Sequence, residues 1–340
     1  MNRVPHSTFE GVAWPRSRGH LIAAGITDAQ LRGPRWQRTS YGLYVPADVD
    51  LTGALQRIAL AAGRLPAAGA VGGWAAARAL GVDLCDGLAS DGRTPLDAPL
   101  CIGAGDIRSV DGIAIWADPL PESDVVVVER VRVTSPLRTC FDGMRRAGDL
   151  VEAVVFADLM LHSELVDLPQ LRAYVAAHSC WRGVGQARQA LDLTDPMARN
   201  GWETRLRMIW MLDAGLPRPL CNPPVFDLSG NLLGFPDLLD PEAGMAGEFD
   251  GSGHRELAQH DLDNIREELF EDHGLVVSRA TSIDIGHRLE LARRFRRAHA
   301  RGRVRDRRND RWTLDAPADW GALDADAELA ALFEASERSQ

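Results

Sequence analysis

The stretch FPDLLDPEAGMAGEFDGSGHRE, residues 235–256, places a Pro-Asp pair on one hydrophobic run and Glu-Phe-Asp-Gly on the next, eleven residues later. Side chains alternate along a strand, so Glu248 and Asp250 point to one face, and Asp237 can face them from the neighbouring strand. Carboxylates gathered on one sheet edge repel each other, and a divalent cation relieves that repulsion. Oxygen-only ligands favour Mg2+ or Mn2+ over zinc. Such a cation can polarise a phosphodiester and lower the pKa of an attacking water, so the pattern predicts metal-dependent phosphodiester hydrolysis.

Working outward, GWETRLRMIWMLDAGL (201–216) predicts a helix with Trp202, Leu206, Ile209 and Trp210 on one stripe, ending at Gly215. Glu203 and Arg207 flank the stripe, and Glu203 could complete a metal shell. Three extended runs follow, PPVFDL, NLLGFPDLL and GMAGEFD, the first two joined by a Ser229-Gly230 turn. RELAQHDLDNIREELFEDHG then predicts a second helix and LVVSRAT a buried strand. The order is helix, three strands, helix, strand. His254 lies four residues beyond Asp250, either as a proton shuttle or as a cap of the second helix.

Toward the N-terminus, residues 17–46 read as a helix, a Gly-Ile-Thr-Asp break that caps a second helix, and two short strands around Ser40 to Gly42. This is the grammar of a winged helix or of a simpler helix-hairpin cap, with Arg32, Arg35 and Arg38 available to DNA. Residues 49–142 predict an α+β region: two Ala-rich helices broken at Pro66 and Gly72-Gly73, then strands around PLCIG, IAIWA and DVVVVERVRVT. VTSPLRTCFDGMRR opens a helical block, capped by Ser135 before Pro136, and residues 143–198 read as a helical connector. Residues 199–287 form the carboxylate-bearing domain, and residues 288–340 a tail. In that tail eleven of the 24 residues from Arg288 to Arg311 are arginine, and seven acids lie between Asp315 and Glu337. The arginine block is either a phosphate grip or a solvated helix, and the acidic block could fold back on it.

The 340-residue length predicts two or three domains, α/β in class and α+β overall. With 45% hydrophobic residues, no apolar run approaches the roughly 20 residues that span a bilayer. Absence of an apolar leader near the N-terminus predicts a cytoplasmic protein. The five cysteines are scattered and never form Cys-x-x-Cys, which predicts free thiols. A net charge of −10 excludes a uniformly DNA-coating protein but not a local basic face. All 38 basic residues are arginine, so no lysine can stand at the third position of Glu248-Phe249-Asp250. Neither a P-loop nor a GxGxxG fingerprint occurs, which disfavours a nucleotide-processing enzyme.

With ETRLRMIWMLDAGLPRPLCNPPV, Pro236-Asp237, EFDGSGH with its Glu248-x-Asp250, DLDNIREEL and GLVVSRAT in this order, residues 201–285 resemble the PD-(D/E)xK nuclease fold in its very-short-patch-repair-like branch. The full layout also resembles actinobacterial proteins in which a winged-helix segment similar to AbiE-type abortive-infection antitoxins precedes such a domain. The resemblance implies an αβββαβ domain around a central mixed sheet, metal ligands Asp237 and Glu248, an auxiliary acid Glu203, and Asp250 where lysine usually stands. Asp250 can bind a second metal or take a proton from water, but it cannot offset phosphorane charge. Positive charge then falls to the metal or to Arg205, Arg207, Arg255 or Arg266. Pro236 and Gly247 depart from the branch, which usually has a basic residue and a valine-richer third strand. Two functions are expected from this reading: a Mg2+-dependent DNA endonuclease, or a non-catalytic DNA-binding regulator with a cognate toxin partner.

Overall fold

The computed structural model describes residues 8–250, 269–318 and 320. They form a mixed α/β protein that divides into two compact units between Thr194 and Asp195. Among the described residues, no helix is long and apolar enough to cross a membrane. Cys85, Cys101, Cys140 and Cys221 are buried free thiols, and Cys180 is an exposed one.

The first unit opens with β1 (Arg16–Ser17), α1 (Arg18–Ala23), α2 (Asp28–Leu31), β2 (Trp36–Ser40) and β3 (Leu43–Pro46). Thr27 and Gln30 make the capping box that starts α2, as the Gly-Ile-Thr-Asp break suggests. The strands form an antiparallel sheet in the order β1-β3-β2, and Tyr41 stands 86% exposed at the hairpin tip.

The Ala-rich stretch gives α3 (Ala54–Ala62) and α4 (Gly73–Ala79), but β4 (Ala70–Val71) lies between them. Two residues are too few to show alternation, so this strand has no sequence signal, although it holds the centre of a sheet. The remaining strands are β5 (Ala98–Cys101), β6 (Ile113–Trp116), β7 (Val125–Val128) and β8 (Val131–Thr134), in the order β6-β5-β4-β8-β7. Pairs β4-β8 and β5-β6 are parallel and the others antiparallel.

The helices expected as a connector pack together inside this unit: α5 (Pro136–Arg146) lies against α6 (Leu150–His162), α7 (Leu168–Ala177) and α8 (Val184–Leu193). Ser135 accepts from the Arg138 N–H and Pro136 opens the first turn of α5. The fully buried Arg138 donates to Asp142 at 2.7 Å and to Asp124 at 3.0 Å, so the charge removed from water is matched. Burial pulls the Arg138 guanidinium down, but Asp142 and Asp124 outweigh it and its pKa is raised.

The second unit begins with α9 (Gly201–Met208), which continues as a π-helical turn over Ile209–Asp213 and ends before Gly215, whose φ is +66°. Leu206, Ile209 and Trp210 are buried, as the stripe predicts. The strands depart from the expected three. PPVFDL supplies β10 (Val225–Asp227), but the first strand of the larger sheet is β9 (Leu220–Cys221). The run NLLGFPDLL splits into β11 (Leu232–Gly234) and β12 (Leu238–Asp240), which lie in different sheets. Gly234, at φ +143°, and Pro236, which has no N–H to donate, interrupt the run between them.

With β13 (Met245–Asp250) and β14 (Val276–Thr281), the larger sheet runs β14-β13-β12-β9. Its β13-β14 pair is parallel and the others are antiparallel, a mixed sheet. Residues 269–272 are helical; the rest of the expected second helix lies outside the described residues.

The arginine block is part of this unit rather than a separate tail. After α10 (Ser282–Gly286), α11 (Arg288–Val304) buries Leu291, Ala292, Phe295 and Ala298 with Leu206, Trp210 and Leu238. Its apolar residues recur at helical spacing beneath the arginines, which is why a charge count alone hides them. Strand β15 (Trp312–Thr313) then closes the sheet β11-β10-β15. The acids from Asp324 onward lie outside the described residues.

Candidate functional site

The pairing of Leu238 with Gly247 places Asp237 one step further along, in line with Glu248 on the adjacent strand. The Asp237 carboxylate turns onto β13, where its Oδ2 accepts the Phe249 backbone N–H over 2.7 Å. Glu248 is 5% exposed and Asp250 is half-buried. Leu239 pairs with Ala246, so the pleat puts Glu248 and Asp250 on the same face as these two residues, above Val225, Phe270 and Val277. The opposite face carries Leu238 and Met245, covered by α9, its π-helical turn and α11. On that side Trp202 stacks on Phe249, with centroids 5.1 Å apart and rings 6° from parallel, and the Arg205 guanidinium lies 5.1 Å from the Trp202 ring.

Glu203, expected as an auxiliary acid, lies in the first turn of α9. It sits on α9, the helix that covers the opposite face, and its carboxylate already accepts from three donors. The Arg199 N–H and the Asn222 side-chain amide donate to Oε2 at 2.8 Å each, and the Asn200 side chain donates to Oε1 at 2.6 Å. Asn200 caps α9 by accepting from Trp202 and Glu203 N–H groups, so Glu203 closes the helix start from within. These bonds give Glu203 a place in the scaffold of the helix start. Asn222, which the sequence reading missed, links this cap to the sheet: its backbone N–H donates to the Asp237 carbonyl at 3.1 Å. Its φ is +48°, an αL position that asparagine tolerates better than most residues.

The Arg207 side chain is fully buried. Arg205 is half-buried over Trp202, while Arg32, Arg35 and Arg38 are all exposed on the N-terminal β-α-α-β-β segment. Arg38 lies over the Tyr41 ring at 5.4 Å. His254, Arg255 and Arg266 lie outside the described residues.

One cation was overlooked. The parallel register pairs Glu248 with Arg279 of β14, and neighbours in register share a face. A charged residue inside the apolar run VVSRAT is the signal that could have found it.

Asp237 and Glu248, in line with each other across adjacent strands, are the two carboxylates that could share a divalent cation. Among the described residues, no three or more His, Cys, Asp or Glu side chains gather closely enough to hold a metal between them. Mg2+ needs fewer, because it keeps several waters and takes one or two carboxylates plus substrate phosphate oxygens. The chain matches no protein-family profile, no curated protein and no solved structure.

Proposed function

We propose that the second unit is a Mg2+- or Mn2+-dependent DNA endonuclease of the PD-(D/E)xK type, in the very-short-patch-repair-like branch. The observation that carries the reading is the placement of Asp237, immediately before β12, in line with Glu248 on β13, with Asp250 two residues on along the same face. A helix before the sheet, and a last strand parallel to the one bearing Glu248, support it further.

In this mechanism Asp237 and Glu248 would hold the cation, which when bound would polarise the phosphodiester and lower the pKa of water. The Phe249 N–H fixes one oxygen of Asp237, which orients the remaining one. Asp250 accepts a proton from the attacking water. Arg279, in register with Glu248, supplies the positive charge that a lysine would otherwise bring. The N-terminal segment acts as a winged-helix-like DNA-binding element through Arg32, Arg35 and Arg38.

The test is nicking of supercoiled, nicked, mismatched and single-stranded DNA with Mg2+ and with Mn2+. Metal-dependent cleavage by the wild type, lost in Glu248→Gln, is expected. Equal trace activity in both proteins with both metals would sink the reading.

A second reading rests on the exposed Arg32, Arg35 and Arg38 alone. It makes the chain a non-catalytic DNA-binding regulator, partnered by a toxin, whose carboxylate domain is a platform. Specific binding to an operator without cleavage, lost on removal of residues 1–48, would favour it.

A further inference from the structure

The eleven arginines between Arg288 and Arg311 do not share one task. Arg288, Arg294, Arg303 and Arg308 pair with Asp213, Asp284, Glu242 and Asp306 at 2.9 to 3.3 Å. Arg305 and Arg307 both bond Asp310, and Arg296 and Arg311 donate to backbone carbonyls. These contacts hold α11 and the turn after it to the unit.

Arg293, Arg297 and Arg301 differ: all three are exposed, and none makes a hydrogen bond or ion pair among the described residues. They are four residues apart, so successive guanidinia rise about 6 Å along the axis within an arc of roughly 80°. Three like charges in a row repel, and Glu290 is the one acid of the helix, at its first turn. Nothing in the packing of α11 requires them, since Leu291, Ala292, Phe295 and Ala298 supply its buried side.

We infer that Arg293, Arg297 and Arg301 form a phosphate-tracking stripe that binds the sugar-phosphate backbone of a nucleic acid. The occupant follows from charge and shape. A protein with net charge −10 that keeps three guanidinia in line, without an ion pair among the described residues, presents a local field suited to a linear polyanion. Guanidinium is the fork that grips phosphate oxygens, and a rigid helix spaces the forks without further ordering cost. The stripe lies on the solvent side of a helix that covers the sheet face opposite Glu248 and Asp250, so it holds nucleic acid independently of cleavage. The inference rests on the reading of a nucleic-acid partner and not on hydrolysis.

Binding of the full chain to a short duplex oligonucleotide, in EDTA and across a salt series, tests it. Changing Arg293, Arg297 and Arg301 together to Gln should weaken binding at least about tenfold at low salt and flatten the log-log salt slope by roughly 2 to 3. A control changing the ion-paired Arg288, Arg303 and Arg308 to Gln should shift the slope by less than roughly 1. Unchanged unfolding midpoints in both variants establish that they fold.

Equal slopes in the wild type and the stripe variant, equal losses in both variants, or no binding by the wild type would overturn the inference. A synthetic peptide of residues 321–340 that binds the wild type but not the stripe variant, while DNA binds both alike, would assign the stripe to the acidic tail. A dimer lost only in the stripe variant, with DNA binding retained, would assign it to a second copy. Nicking that disappears in Glu248→Gln while the wild-type salt slope persists separates the stripe from the cleavage site.

Discussion

The side-chain amide of Asn222 donates to Glu203 Oε2 across 2.8 Å in the interior of the second unit. This bond ties the first turn of α9 to the edge of the sheet that carries Asp237. Glu203→Ala removes the acceptor of three donors at once and leaves buried N–H groups unsatisfied, so it should cost about 2 to 3 kcal/mol of stability. Glu203→Gln keeps one acceptor oxygen and should cost less, about 1 kcal/mol. Urea unfolding measures both. If Glu203 belongs to the scaffold, Glu203→Gln also keeps metal-dependent nicking within a few-fold of wild type. A Gln variant with wild-type stability and no nicking would return Glu203 to the metal shell.

Asp237 has two tasks that one substitution separates. Asparagine can still accept the Phe249 N–H through its side-chain oxygen, but it carries no charge to hold a cation. Asp237→Asn should unfold within about 0.5 kcal/mol of wild type. Its Mg2+-dependent nicking should fall at least about 100-fold, beyond the roughly 10- to 100-fold that loss of an outer-shell partner costs a metal site. Wild-type nicking by this variant would remove Asp237 from the ligand set.

Much of the second unit is legible in the sequence because its elements announce themselves by period. The α9 stripe, the β13 run and the β14 run are each long enough to show 3.6- or 2-residue spacing, and each forms where expected. Elements of two or three residues carry no period, which is why β4, β9 and the split between β11 and β12 were not visible. The part Glu203 takes in its helix start was not legible for a different reason. An acid three residues after an Asn cap is the signature of a helix start as well as of an auxiliary ligand, and the hydrogen bonds from Asn200 and Asn222 show the first of these. The alignment of Arg279 with Glu248 was not legible because a lone charge in an apolar run does not show which residue of which strand it pairs with.

The first unit should lose stability in acid through Asp118. Burial raises the pKa of this carboxyl, but hydrogen bonds from Arg146 and Arg145 outweigh it and hold it below the usual carboxylate value. A depressed native pKa means that the unfolded chain binds the proton first. The stabilisation is therefore complete above about pH 4 and is lost as pH falls through the native value. Urea midpoints followed from pH 6 to pH 2.5 should drop steeply below about pH 4 for wild type. Asp118→Asn should start lower at pH 6 and show a shallower acid limb, and an acid limb as steep as that of wild type would refute the assignment.

Gly302 decides how closely α11 approaches the β12-β13 turn. Asp240 organises that turn by accepting from the Glu242 and Ala243 N–H groups at 2.9 and 3.0 Å, and His299 of α11 reaches Asp240 at 3.1 Å. A Cβ on Gly302 would stand 2.2 Å from the Ala243 carbonyl oxygen, a backbone atom that cannot swing aside. Two effects then compete. Alanine inside a helix gains about 1 kcal/mol over glycine, while the overlap forces a backbone shift costing typically 1 to 3 kcal/mol or more. The steric term wins at such a distance, so Gly302→Ala should destabilise the protein by about 2 kcal/mol. Gly185→Ala, on α8 with open space where its Cβ would lie, should instead gain up to about 1 kcal/mol. Because the displaced turn joins the strands that bear Asp237 and Glu248, Gly302→Ala should also reduce nicking at temperatures where the variant is still folded. A Gly302→Ala protein as stable as wild type would show that α11 does not press on the turn.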